Sequence, residues 1–128
     1  HRPALRCALG LAHVAASRET FTDAVNQAAA ALEQAKAHGE PVMEAWALSS
    51  IAWIFGEVRR GKHKLKAKAL TRDALEVAKI DLSEHLTRAM AALDEIGGGP
   101  GLYRGHAALA LAEELADKSD ARAPASIL

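Results

Sequence analysis

Apolar residues recur along this chain at intervals of three and four, the spacing of one face of a helix, and strict alternation is almost absent. The pattern is strongest between Glu44 and Val58, EAWALSSIAWIFGEV, where no charge falls from Ala45 to Gly56. Wound at about 100° per residue, Leu48, Ile51, Ala52 and Phe55 fall on one side. Trp46 and Trp53 share another side, and Ile54 lies between the two. A helix apolar almost all round is either surrounded by neighbours or offers a patch to a partner. The stretch is too short to cross a bilayer, which takes roughly 18 or more apolar residues.

The pattern repeats. Arg6–Val14 aligns with Trp46–Ile54, with Arg88–Ile96 and with Arg122–Leu128. Leu11, Ile51, Leu93 and Ile127 take one equivalent position, and Ala8, Leu48 and Met90 another. A second series alternates with this first one. Phe21, Ala24, Ala28 and Ala31 set a spacing that Lys64, Ala67, Thr71 and Ala74 copy, as do Leu102, Gly105, Leu109 and Ala112. The small residues at the second position of each set let a neighbouring helix approach closely.

Breaks fall between these segments. Gly39 and Pro41 separate the second helix from the third, Pro41 being suited to a first turn. Gly61 closes the tryptophan helix, with Arg59 and Arg60 in its last turn, where cations suit the dipole. Ser83 reads as an N-cap. Gly97–Gly101 reads as a flexible link, and Asp120 as the cap of a short last helix containing Pro124.

Alanine, the best helix former, supplies much of the apolar half of the composition, and aromatics are only 4%. We therefore expect an all-α chain without a sheet. At 128 residues one domain is the natural count. The formal net charge is zero, so no global field draws nucleic acid or an acidic membrane. The lone Cys7 makes no internal disulfide. No signal-peptide pattern is present, which points to a cytoplasmic protein.

This alternation resembles the tetratricopeptide (TPR) repeat family. Ala8, Leu11, Ala12 and Ala15 match its first-helix positions, and Ala24, Ala28 and Ala31 follow at the family interval. The period is near 40 residues rather than about 34, as in longer TPR-like repeats of bacterial regulators, and most signature aromatics are alanine. The resemblance implies a right-handed stack of antiparallel helix pairs, with repeats at about 3–38, 41–80 and 83–118 and a closing helix at 120–128. It also implies a concave groove lined by the first helix of each pair, which binds a protein or peptide. Carried over residue by residue, the groove positions are Arg6, Leu9, His13, Trp46, Ser49, Trp53, Arg88, Ala91 and Glu95, with Arg122 extending the row. Trp and Arg are enriched at binding hot spots. The tryptophans read equally well as core filler. The Asn and Lys of the family's carboxylate clamp are missing, so a chaperone C-terminal tail is not an expected ligand.

A basic run, Arg59, Arg60, Lys62, Lys64, Lys66, Lys68 and Arg72, meets no acid until Asp73. On a helix, Lys64, Lys68 and Arg72 make a stripe which, with Arg60, is an anion or acidic-partner patch, or else a solvated face. No aromatic interleaves the run to stack a base, so nucleic acid is not an expected partner. The histidines are scattered, without H-x-x-x-H spacing or a cysteine cluster, so no metal is expected. The Gly97–Gly101 stretch lacks the strand before it and the G-K-[ST] after it that a nucleotide loop needs. Cys7 reads as packed, and Glu113 and Glu114 as a solvent face. No catalytic constellation emerges, and neither enzyme activity nor a cofactor is expected.

Two functions remain. One is a protein- or peptide-binding module with an open groove. The other is a small-molecule sensor or carrier whose Trp46–Trp53 face lines an apolar pocket. Self-association through the C-terminal end is a further expectation.

Overall fold

The structure, a computed structural model, describes residues 2–17, 20–96 and 101–119, and of Arg2, Pro3, Leu5, Cys7, Val14 and Ser17 the backbone alone. The described residues are all-helical. Six α-helices follow in order: α1 Arg2–Ser17, α2 Phe21–Ala37, α3 Pro41–Arg60, α4 Arg72–Lys79, α5 Leu82–Glu95 and α6 Gly101–Ser119, with a 3-10 turn at Ala67–Ala69 before α4. The closing helix expected at 120–128, with Arg122, lies outside the described residues, as does most of the Gly97–Gly101 link.

The tryptophan helix is the centre of the molecule. Pro41 opens α3, and Gly61 closes it after Arg59 and Arg60. Leu48, Ile51, Ala52 and Phe55 are buried as the pattern predicts, and so are Val42, Met43, Ala45, Ala47, Ile54 and Val58. Burial on that many sides needs several neighbours, and α1, α2, α5 and α6 all pack on α3. In α2, Phe21, Ala24, Ala28 and Ala31 are buried. The small side chains of the three alanines let α1 and α3 close against α2. In α5, Leu82, Leu86, Ala89 and Leu93 form the buried stripe. All of these join one continuous core.

Three expectations are corrected. First, the helix read through Lys64, Ala67, Thr71 and Ala74 does not form across that span. Only Arg72–Lys79 is α-helical, and Thr71 caps it by accepting a hydrogen bond from the Ala74 N–H at 3.2 Å. Leu65 and Leu70 are both buried. Five residues apart, they would face different sides of a helix; the irregular segment turns both inward. Asn26 of α2 holds this segment from two directions. Its Nδ2 donates to the Ala69 carbonyl at 2.9 Å, and its Oδ1 accepts from the Thr71 N–H at 2.9 Å. Thr22 Oγ1 accepts from the Lys66 N–H at 3.1 Å. Second, the cap of α5 is Asp81, whose carboxylate accepts from the Ser83 N–H at 3.1 Å; Ser83 itself is inside the helix.

Third, the register of two helices is turned. The face Leu102, Gly105, Leu109 and Ala112, read as packing, is exposed, and Tyr103, Ala107, Ala110 and Glu114 point inward instead. The buried set lies one to two residues along, about 150° of rotation. In α1, Leu11 is 60% exposed while Leu9 is fully buried, the reverse of the repeat alignment.

Ion pairs fix α6 at both ends. Arg104 reaches Asp94 at 2.7 Å and Lys118 reaches Asp81 at 2.8 Å, so α6 runs antiparallel to α5. Hydrogen bonds from Lys118 and Ser83 hold the Asp81 carboxyl well below the usual carboxylate range, and a bond from Arg104 lowers that of Asp94. A carboxylate whose folded pKa is depressed stabilises the fold above its unfolded pKa, near 4, and loses that contribution as pH falls through the folded value. We expect acid unfolding to begin below about pH 4, and circular dichroism of the Asp81→Asn, Asp94→Asn double variant to show a flatter acid limb.

Candidate functional site

The last helix does more than cover α5. It also lies parallel to α3, Tyr103 beside Trp46 at one end and Glu114 beside Arg59 at the other. In a stack of hairpins with an open first-helix groove, that face of α3 stays free. Here α6 crosses it. Between the two helices is a half-open cleft of about 390 Å³.

Each wall is a helix face at the i, i+3, i+4, i+7 spacing. From α3 come Trp46, Ser49, Ser50 and Trp53; from α6 come His106, Leu109, Ala110 and Glu113. His13 of α1 closes one side. The Trp46 and Tyr103 rings are tilted, their centroids 5.3 Å apart. His13 sits on Trp53 with centroids at 4.9 Å, and its Nε2 is 3.1 Å from Ser50 Oγ. Ser49 is satisfied internally, its hydroxyl donating to the Ala45 carbonyl at 2.7 Å. Both tryptophans are half-buried, packed on the core from one side and bordering the cleft on the other.

Burial, and secondarily the nearby His106, lowers the pKa of His13 from 6.5. The unfolded chain then binds the proton more readily, so His13 contributes stability above pH 6.5 that declines as pH falls toward its folded pKa. An NMR titration of the imidazole signals is expected to give His13 a midpoint below 6.5, with the Trp53 indole signal moving in step. A midpoint at or above that value contradicts the packing described.

Beside the cleft, Arg59 Nη2 bonds Glu114 at 2.8 Å and Asp117 at 3.0 Å. Burial pulls the Arg59 pKa down, but the bonds to both carboxylates outweigh it and raise the net value. Glu114, read as solvent-facing, is 7% exposed. Arg59, a cation far off in the sequence, takes it inside.

Of the residues expected to line a groove, the structure brings together His13, Trp46, Ser49 and Trp53. Leu9 is core, and Arg6, Ala91 and Glu95 are exposed away from the cleft. Arg88 is also exposed and pairs with Glu84 of its own helix. The wall from α6 was missed. Its spacing, 106, 109, 110 and 113, was visible in the sequence, but the competing face at 102, 105, 109 and 112 is more apolar.

The expected stripe of Lys64, Lys68 and Arg72 does not share a helix face, since only Arg72 is in an α-helix. Arg60 is held by Glu57 at 3.0 Å and Asp117 at 3.6 Å. Lys64 and Lys66 border a second cleft, of about 330 Å³, beside Thr20, Thr22, Asp23 and His63. Among the described residues no group of three or more His, Cys, Asp or Glu side chains is placed to hold a metal ion, and no helix is long and apolar enough to cross a membrane.

Compared with known protein families, with curated proteins and with solved structures, the chain finds no match. The resemblance to TPR repeats therefore rests on the sequence spacing alone.

Proposed function

We propose that this protein binds a small organic molecule in the cleft between α3 and α6, as a sensor or carrier, and performs no chemistry on it. The observation that carries the reading is the position of α6 across the tryptophan face. A volume of about 390 Å³ falls in the range of ligand sites, about 300–1,000 Å³, where an apolar lining is joined by a few polar groups. Two indole faces supply the apolar area; His13, Ser50 and Glu113 supply the polar groups. An extended peptide in an open groove, which the repeat resemblance implies, is favoured less, because α6 occupies the path along α3.

Benzyl alcohol is a suitable neutral probe. Its titration is expected to shift the indole N–H signals of Trp46 and Trp53 saturably and together, with the Trp53→Leu variant losing the response at Trp46. Shifts spread evenly over the surface, or no saturation, overturn the reading.

A further inference from the structure

Charge in the cleft is one-sided. No lysine or arginine borders it, and Glu113 is its only carboxylate. The neighbouring acids of α6 are already taken: Glu114 and Asp117 by Arg59, with Asp117 also near Arg60. Among the described residues no hydrogen bond or ion pair engages the Glu113 side chain, although the residue is partly buried. A carboxylate on a partly buried residue beside two indoles attracts a positive charge that is itself weakly hydrated. Indole faces attract cations through the ring quadrupole, and more strongly where water is excluded. The rest of the lining adds no competing donor of fixed charge.

We propose that the ligand of this cleft is a small organic cation, an alkylated ammonium seated against Trp46 and Trp53 with Glu113 as its counter-ion. The inference rests on the cleft being a ligand site. An inorganic cation fits less well, because such ions need several oxygen ligands and the cleft offers one carboxylate. An anion meets only histidines and the Glu113 charge.

Choline and its neutral isostere 3,3-dimethylbutan-1-ol separate the two levels of the claim. Both are titrated at pH 7.5 while the indole N–H signals of Trp46 and Trp53 are followed. Choline is expected to bind at least about tenfold more tightly than the alcohol, the size of a desolvated cation–π contact. Glu113→Gln is expected to lower choline affinity about tenfold, as loss of a partly desolvated charge partner does, while leaving the alcohol within about twofold. Glu95→Gln, an exposed acid away from the cleft, is the control and should change neither. Equal affinity for the two compounds, or no effect of Glu113→Gln, overturns the cation assignment and leaves the cleft as a neutral ligand site. If neither compound moves the indole signals and benzyl alcohol also fails, both readings fall together.

Discussion

Replacing Arg59 by methionine is expected to lower stability by about 3 kcal/mol, because breaking a buried ion pair leaves its partner charge uncompensated. Methionine keeps most of the apolar stem, so the loss reports the charge and not the packing. Glu114, 7% exposed, is left without its cation, and Asp117 keeps only Arg60 at 3.6 Å. For a chain of this size the melting temperature should fall by roughly 10 °C. Lys68→Met, in the same basic run but exposed, is expected to stay within about 0.5 kcal/mol. Urea unfolding followed by circular dichroism checks both. Equal effects at the two positions mean that the run is a solvated face throughout and that α6 is not anchored through Arg59.

The second large effect belongs to the core of α3. Ile54 is fully buried, whereas Leu109, on the face of α6 once read as packing, is 60% exposed. Ile54→Ala is expected to cost about 2–5 kcal/mol through lost burial and the cavity left behind. Leu109→Ala should cost well under about 1 kcal/mol, as exposed positions do. The pair tests the register of both helices in one experiment. A comparable loss at Leu109 means that α6 turns its other face inward.

The centrality of α3 was legible because no single polar face exists between Ala45 and Gly56 for water to cover. The helix ends were legible where a residue has one conformational use, as at Pro41 and Gly61. The orientation of α6 was not, since alanine and leucine lie nearly all round it and several stripes look alike. Contacts far apart in sequence decide it: Arg59 with Glu114 and Asp117, Arg104 with Asp94, Lys118 with Asp81. No local spacing announces such pairs. The segment before α4 failed for a related reason. Its residues have fair helix propensity, but Asn26 and Thr22, on α2, satisfy its backbone in another shape. Of the site, periodicity put Trp46 and Trp53 on one side of α3, and the TPR resemblance implied His13 and Ser49 beside them; Ser50 and the α6 wall depended on tertiary pairing.

Everything said of the cleft depends on α6 lying along α3. A double-mutant cycle between Arg59→Met and Glu114→Leu measures that contact directly. The two side chains are 2.8 Å apart, so the account predicts a coupling of at least about 1 kcal/mol, the double variant recovering much of what Arg59→Met loses. Additivity within about 0.5 kcal/mol, the behaviour of sites that do not touch, would place α6 elsewhere and remove one wall of the cleft.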